Sequence, residues 1–120
     1  MSSLISESAL GTAEPLGHPA PDAIELAGVL QALSDPIRLR IVVALDAGQE
    51  LSCKSIDLPV VKSTCTHHFR VLREAGVIRQ RQEGTSRLNS LRRVDLDSRF
   101  PGLLDAVLRA LRDRGIETAS

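Results

Sequence analysis

The stretch STCTHHFRVLREAGVI, residues 63–78, is the most informative part of the chain. Its apolar positions Cys65, Phe69 and Leu72 recur at helical spacing, and Gly76 stands where a helix would end. Polar side chains occupy the opposite face. The stretch therefore predicts an amphipathic helix over Ser63–Ala75 that presents hydrogen-bond donors to solvent.

After Gly76 the periodicity of the sequence changes from that of a helix to that of extended chain. Residues 77–82 and 86–91 are two short runs separated by Glu83-Gly84-Thr85, a glycine-bearing turn. Two such runs around a turn of this kind are typical of a β-hairpin.

Upstream, Ser34-Asp35-Pro36 ends one helix and begins another. Asp35 suits the N-cap and Pro36 the first helical position, where its missing N–H is not needed. The second helix should bury Ile37 and Ile41, point Arg38 and Arg40 away, and end at Gly48.

Three further helices complete the pattern. One follows Pro21 and carries Ile24, Leu30 and other apolar residues at helical spacing, a short one spans Ser52–Asp57, and a last one ends at Arg114. The predicted fold is mainly α with a small β-hairpin, in the order α-α-α-α-β-β-α. Two helices joined by a tight turn and followed by a hairpin indicate a winged helix-turn-helix over residues 21–114, between a disordered tail at 1–20 and a short tail at 115–120.

The net charge of zero hides a strong asymmetry. Residues 1–35 carry five acidic and no basic side chains, whereas residues 36–93 carry eleven basic and five acidic ones. The helix-turn-helix and hairpin thus form a basic module, which favours a nucleic-acid partner. The acidic segment is expected to weaken non-specific attraction to DNA.

Composition disfavours several other classes. There is no Trp or Tyr and only two Phe, which leaves little to stack on unpaired bases. No apolar run approaches the ~20 residues that span a bilayer, no signal peptide is recognisable, and two cysteines make no disulfide framework. The chain lacks the side-chain sets typical of catalysis and is not expected to be an enzyme. These features favour a cytoplasmic protein that binds double-stranded DNA.

The candidate DNA contacts lie on the predicted recognition helix and on the wing. Side chains that suit phosphates or base edges occupy the exposed face of the helix, and arginines occupy the hairpin. The helix contributes Lys62, Ser63, Thr64, Thr66, His67 and Arg70, and the wing contributes Arg79, Arg81 and Arg87, followed by Arg92 and Arg93.

The residues resemble those of a known family. LSDPIRLRI at 33–41 and the stretch at 63–78 are similar to the opening and the recognition helix of the ArsR/SmtB family of bacterial transcription regulators. The resemblance implies a homodimeric repressor, paired through its first and last helices, that leaves a palindromic operator when an effector binds. It also implies that His68 packs and hydrogen-bonds inside the protein. Val61 stands where the family often has a capping Ser, so Ser63 is expected to cap the helix.

The family's metal sites are absent from the sequence. Where members have a Cys-x-Cys pair, this chain has Ser52-Cys53-Lys54, and residues 94–114 contain no histidine. The sequence therefore predicts no metal site and no cofactor, and it leaves the effector unknown.

Two alternatives remain open. Cys53 and Cys65 flank the turn of the helix-turn-helix, so their oxidation would offer a redox-responsive repressor, although buried structural thiols are the more common outcome. The basic face would also fit an acidic protein partner, which makes a winged-helix interaction module the other alternative.

The first and last helices carry apolar residues that would form either a dimer core or an effector pocket. These residues are Leu26, Val29, Leu30, Leu104 and Val107.

Overall fold

The computed structural model of the protein describes residues 17–114. Five helices and a three-stranded antiparallel sheet make up this part of the chain. The helices are α1 (Leu26–Ala32), α2 (Pro36–Leu45), α3 (Lys62–Ala75), α4 (Arg93–Arg99) and α5 (Leu103–Asp113), and the strands are β1 (Leu51–Ser52), β2 (Ile78–Glu83) and β3 (Ser86–Leu91). The predicted fold class, a winged helix-turn-helix with mainly helical content, is confirmed.

The start of the fold differs from the prediction of one helix beginning after Pro21. Pro21–Ala23 forms a single 3-10 turn, and Ile24 and Glu25 are extended before α1 begins at Leu26. Ile24 is almost fully buried, at 1% exposure, and lies against Gly76 at the end of α3. Burial of this side chain in the core outweighs the local helical pattern.

The predicted cap of α2 is confirmed. The Asp35 carboxylate accepts hydrogen bonds from the backbone N–H of Ile37 at 2.7 Å and of Arg38 at 3.2 Å. Burial alone would raise the pKa of this carboxyl group, but the two backbone hydrogen bonds, together with the neighbouring His68 and Arg38, hold the pKa below its ordinary value.

The short helix predicted over Ser52–Asp57 is wrong. Leu51 and Ser52 instead form β1, which pairs with Asn89 and Leu88 of β3, so only Cys53–Ser55 remains as a 3-10 turn. The sheet consequently has the strand order β1-β3-β2, with β2 at one edge. Pairing across the sheet satisfies backbone N–H and C=O groups that would otherwise have bonded to each other within a helix.

The first described residues contact the rest of the structure. Gly17, His18 and Pro19, placed in the tail by the sequence, are held against the domain by hydrogen bonds from Arg73, from the backbone of Gln80 and from Arg92. Residues 1–16 and 115–120 of the expected tails lie outside the described residues.

The core lies between the helices and one face of the sheet. Its apolar members come from every helix, and those with 1% exposure or less are Ile24, Val29, Ala32, Ile41, Val42, Leu45, Leu72, Val77 and Ile78. None of the described helices is long and apolar enough to cross a bilayer.

Candidate nucleic-acid interface

Helix α3 has one buried and one exposed face. Cys65, Phe69 and Leu72 pack into the core as predicted. The helix ends at Gly76, whose φ of +88° is the left-handed conformation that closes a Schellman-type ending, with Val77 donating to the carbonyl of Leu72 at 2.9 Å.

The start of α3 departs from the expectation that Ser63 caps it. The helix begins one residue earlier, at Lys62, and Val61 occupies the N-cap position without a side-chain hydrogen bond. The first backbone N–H groups of the helix therefore lack a side-chain partner and point toward solvent, where an anion can meet them.

All the donors predicted on the recognition helix are exposed. They occupy the face of α3 opposite the core, concentrated in its first half. The set is Lys62, Ser63, Thr64, Thr66, His67 and Arg70.

A groove separates this helix from the wing. It encloses about 510 Å³ and is lined from α3 by Lys62, Thr66 and Arg70, and from the wing by Gln82 and Arg87. Five cationic side chains line it in total and no carboxylate does; the five are Lys54, Lys62, Arg70, Arg73 and Arg87. This concentration of positive charge makes the groove suited to a polyanion.

The three predicted wing arginines lie in two different environments. Side chains alternate along β2, so Gln80 and Gln82 face the groove whereas Arg79 and Arg81 lie on the other face of the strand. Arg81 donates two hydrogen bonds to the Glu50 carboxylate, at 2.7 and 2.8 Å. Hydrogen bonding to Arg81 holds the pKa of Glu50 below its ordinary value.

Arg87 has none of these attachments. It lies opposite Gln82 on β3, is exposed, and lines the groove. The structure thus brings Arg87 together with Lys62 and Arg70 of α3, and separates Arg79 and Arg81 from them.

Arg92 and Arg93, expected to extend the wing, belong to the body of the domain. Arg92 is 5% exposed and contacts Asp95 at 3.0 Å, while Arg93 contacts Asp46 at 2.8 Å and also pairs with Asp105. Both cations are neutralised where α4 meets its neighbours.

His68 is buried, which agrees with the packing role implied by the resemblance. Its Nδ1 lies 3.0 Å from Nη1 of Arg38, and because a guanidinium only donates, Nδ1 must accept and the imidazole is neutral. Burial lowers the pKa of His68, which favours this neutral form. Arg38 also donates to the carbonyl of Ala32, so it ties α1, α2 and α3 together instead of pointing away as the sequence suggested.

The two cysteines lie side by side beneath the start of α3. Both line a small, mostly apolar cavity of about 240 Å³. Burial, aided by Cys53, raises the pKa of the Cys65 thiol to about 11. Within residues 17–114, no three His, Cys, Asp or Glu side chains are placed to hold a metal ion.

Sequence reasoning missed a buried polar cluster behind the groove. Arg73, Gln80 and Asn89 are 9%, 4% and 1% exposed, and they hydrogen-bond to one another. The sequence signal was weak, because an arginine near a helix end and two amides on a hairpin are typical of exposed surface.

Known proteins are similar to this chain in sequence and in fold. A family profile described as "Helix-turn-helix domain" matches residues 33–81. The uncharacterized HTH-type transcriptional regulator YceK of Bacillus subtilis (strain 168) is 37% identical over 84 residues, which cover 68% of this chain and 84% of the relative. The uncharacterized HTH-type transcriptional regulator MJ1325 of Methanocaldococcus jannaschii is 39% identical over 61 residues, or 49% of this chain and 68% of the relative.

Two solved structures are similar as well. A crystal structure of a possible transcriptional regulator for arsenical resistance superposes with a TM-score of 0.53 at 29% identity, covering 76% of this chain and 85% of that one. An ArsR-like transcriptional regulator from Rhodococcus sp. RHA1 has the same fold, with a TM-score of 0.50 at 23% identity over 75% of this chain and 78% of that one. The sequence motifs, the fold and these relatives agree: the chain belongs to the ArsR-like winged helix-turn-helix transcriptional regulators.

Proposed function

We infer that this DNA-binding regulator is a homodimeric cytoplasmic repressor that binds a palindromic operator and leaves it in response to an effector. The observation that carries the DNA contact is the groove between α3 and the wing, where five cations and no carboxylate line one cavity beside the exposed face of α3. The family consists of transcriptional regulators, so the chain is not an enzyme.

In this proposal α3 enters the major groove and each exposed donor has a distinct task. Lys62 and Arg70 neutralise phosphates, Ser63 and Thr64 reach phosphates or base edges, and Thr66 and His67 contact base edges. The uncapped N–H groups at the start of α3 add a further site for a phosphate.

The wing contributes mainly through Arg87. Its side chain shares the groove with the cations of α3, so it can reach the same stretch of phosphates. Arg79 and Arg81 contribute less, because Arg81 is paired with Glu50 and Glu83 and Arg79 lies 3.7 Å from Asp95.

The homodimer is supported by an exposed apolar stripe on α1. Leu26 and Leu30 lie one turn apart and are 45% and 47% exposed, whereas Val29 and Leu104, also predicted for the interface, are buried within the chain itself. Exposed leucines at helical spacing fit the surface of a second copy of the chain.

The experiment is a selection from randomised DNA duplexes with the full chain, followed by fluorescence-anisotropy titrations over a range of salt concentrations. We expect an enriched inverted repeat whose half-sites lie about one helical turn apart. If no sequence is enriched and no duplex binds at low salt, the proposed function is overturned, and a protein partner for the basic face becomes the better hypothesis.

Two wing variants make the experiment sharper. Arg87→Ala should reduce the salt dependence of binding, lowering the slope of log K against log salt by up to about 0.9, because one phosphate contact is lost. Arg81→Ala, a matched loss of one wing arginine from the other face, should change the slope less. Equal effects of the two variants would contradict the assignment of the groove as the phosphate site.

A further inference from the structure

A chain of buried hydrogen bonds connects the last turn of α3 to the wing. Arg73 Nη1 donates to Gln80 Oε1 at 2.9 Å, Gln80 Nε2 donates to Asn89 Oδ1 at 2.7 Å, and Asn89 Nδ2 donates to the Leu51 carbonyl at 3.0 Å. The chain therefore crosses from α3 through β2 and β3 to β1. Its three side chains form the floor of the groove.

The direction of every bond in this chain is determined by its two ends. A guanidinium can only donate and a carbonyl oxygen can only accept, so each amide between Arg73 and Leu51 has one possible orientation. A single amide flip would place two acceptors or two donors against each other. The chain thus specifies one arrangement of the wing relative to α3.

The N-terminal segment reinforces the same chain. The Gly17 carbonyl accepts from Arg73 Nε at 3.1 Å, and His18 Nε2 accepts from the backbone N–H of Gln80 at 2.9 Å, at the outer edge of β2. Two adjacent residues therefore hold the chain at two points: Gly17 holds the guanidinium of Arg73, and His18 holds the backbone of the edge strand at Gln80.

Such a chain is costly unless it is complete. Burying an amide without a partner costs about 1–3 kcal/mol, whereas apolar side chains of the same size would pack here without that cost. Gln80 and Asn89 are almost fully buried although they lie on the strands of a short hairpin whose tip is exposed. Complete polar networks of this kind restrict the geometry of the elements that they join.

We propose that Gln80 and Asn89 are positioning residues for DNA binding, which hold the wing over α3 at the distance where Arg87 and the α3 donors reach one duplex together. The inference rests on the proposed DNA-binding function. It assigns no direct base contact to either residue: both act through the placement of Arg87 and of the recognition face.

The test is Gln80→Met, which keeps the length of the side chain and removes both of its hydrogen bonds in the chain. Binding is measured to the duplex selected by the unaltered protein and to a random duplex of the same length. We expect affinity for the selected duplex to fall about tenfold. Affinity for the random duplex and its salt dependence should change less than about twofold, because the cations of the groove remain.

Gln49→Met is the matched control, because it makes the same substitution at an exposed glutamine just before β1. Gln49 is not among the residues that line the groove. The variant should leave the ratio of selected to random affinity unchanged. Hydrogen exchange at the amides of β2 and β3 should accelerate in Gln80→Met and stay as in the unaltered protein for Gln49→Met.

Loss of both affinities in parallel, or of neither, in a folded Gln80→Met protein would overturn the proposal. If that variant fails to fold, Asn89→Ser is used instead. The shorter serine side chain interrupts the hydrogen-bond chain on β3 but retains a polar group, and the ratio of selected to random affinity is again the deciding measurement. Failure of the unaltered protein to bind any duplex would instead reject the proposed function, so the two failures are distinguishable.

Discussion

At the scale of single residues, burial determines the chemistry of Cys65. The residue is 6% exposed, and the pKa of its thiol is raised to about 11 by burial and by the neighbouring Cys53. A pKa four units above neutrality leaves about one thiol in ten thousand as thiolate at pH 7. Because the thiolate is the reactive form, Cys65 is a poor partner for a fast redox switch.

We therefore expect Cys65 to resist alkylation by iodoacetamide in the native protein at pH 7, and its reaction rate to rise about tenfold per pH unit below its pKa. Mass spectrometry of the labelled peptides measures this, with the protein in urea as the control in which both cysteines react. Labelling of native Cys65 as fast as that of the more exposed Cys53 would restore the redox-responsive alternative.

At the scale of elements, the end of α3 depends on Gly76. A Cβ atom at this position would lie 2.5 Å from Cγ1 of Ile24, and the φ of +88° disfavours any side chain. Gly76→Ala should therefore lower the free energy of unfolding by at least about 2 kcal/mol, through backbone strain and overpacking.

Urea unfolding followed by circular dichroism measures the effect, and Gly28→Ala in α1 is the control. Gly28 has a helical backbone, and an added Cβ there would have open space. The control should leave stability unchanged or raise it by up to about 1 kcal/mol. A Gly76→Ala protein as stable as Gly28→Ala would contradict the close approach of Ile24 to α3.

The elements that sequence predicted well are those with a strong local signal. Asp35 and Pro36 begin α2 as expected, and Gly76 ends α3. Helix α4 was missed because it carries no side-chain cap and no repeated apolar stripe: Leu96 is buried and Val94 is 81% exposed. Its stability comes from contacts with distant parts of the chain, such as the pair between Arg93 and Asp46.

The candidate site likewise has one part that could be predicted from the sequence and one part that could not. The exposed face of α3 follows from helical spacing alone, so each of its donors could be named from the sequence. The different surroundings of Arg81 and Arg87 could not, because the partner Glu50 lies 31 residues from Arg81. Buried polar groups such as Asn89 are predictable only when their partners are known.

At the scale of the whole molecule, a second copy of the chain should cover α1. Leu30→Glu places a charge in the exposed apolar stripe and should shift the mass in sedimentation from about twice 13.0 kDa to the single-chain value. Val94→Glu is the control, because Val94 is also an exposed apolar residue, 81% exposed, but belongs to α4 and not to the stripe on α1. Monomers in the unaltered protein, or equal effects of both variants, would contradict pairing through α1.

The net neutrality of the chain also has a testable consequence for DNA binding. Glu7 and Glu14 are the only charged side chains in residues 1–16, and this segment joins the domain at Gly17, whose carbonyl accepts from Arg73 at the floor of the groove. We expect two carboxylates tethered at that point to compete with phosphates for the same cations. Deletion of residues 1–16 should therefore raise affinity for a random duplex by about two- to threefold at low salt, with the gain lost near ~0.2 M salt, where charges are screened beyond about 8 Å.

The deletion stops at residue 16 because Gly17, His18 and Pro19 hold Arg73, Gln80 and Arg92, and removing them would disturb the wing as well. A full-length variant with Glu7→Gln and Glu14→Gln separates charge from chain length. If charge is the cause, this variant reproduces the gain in affinity seen in the anisotropy titrations. An unchanged affinity for the random duplex at low salt, in both proteins, would show that the acidic segment does not compete with DNA.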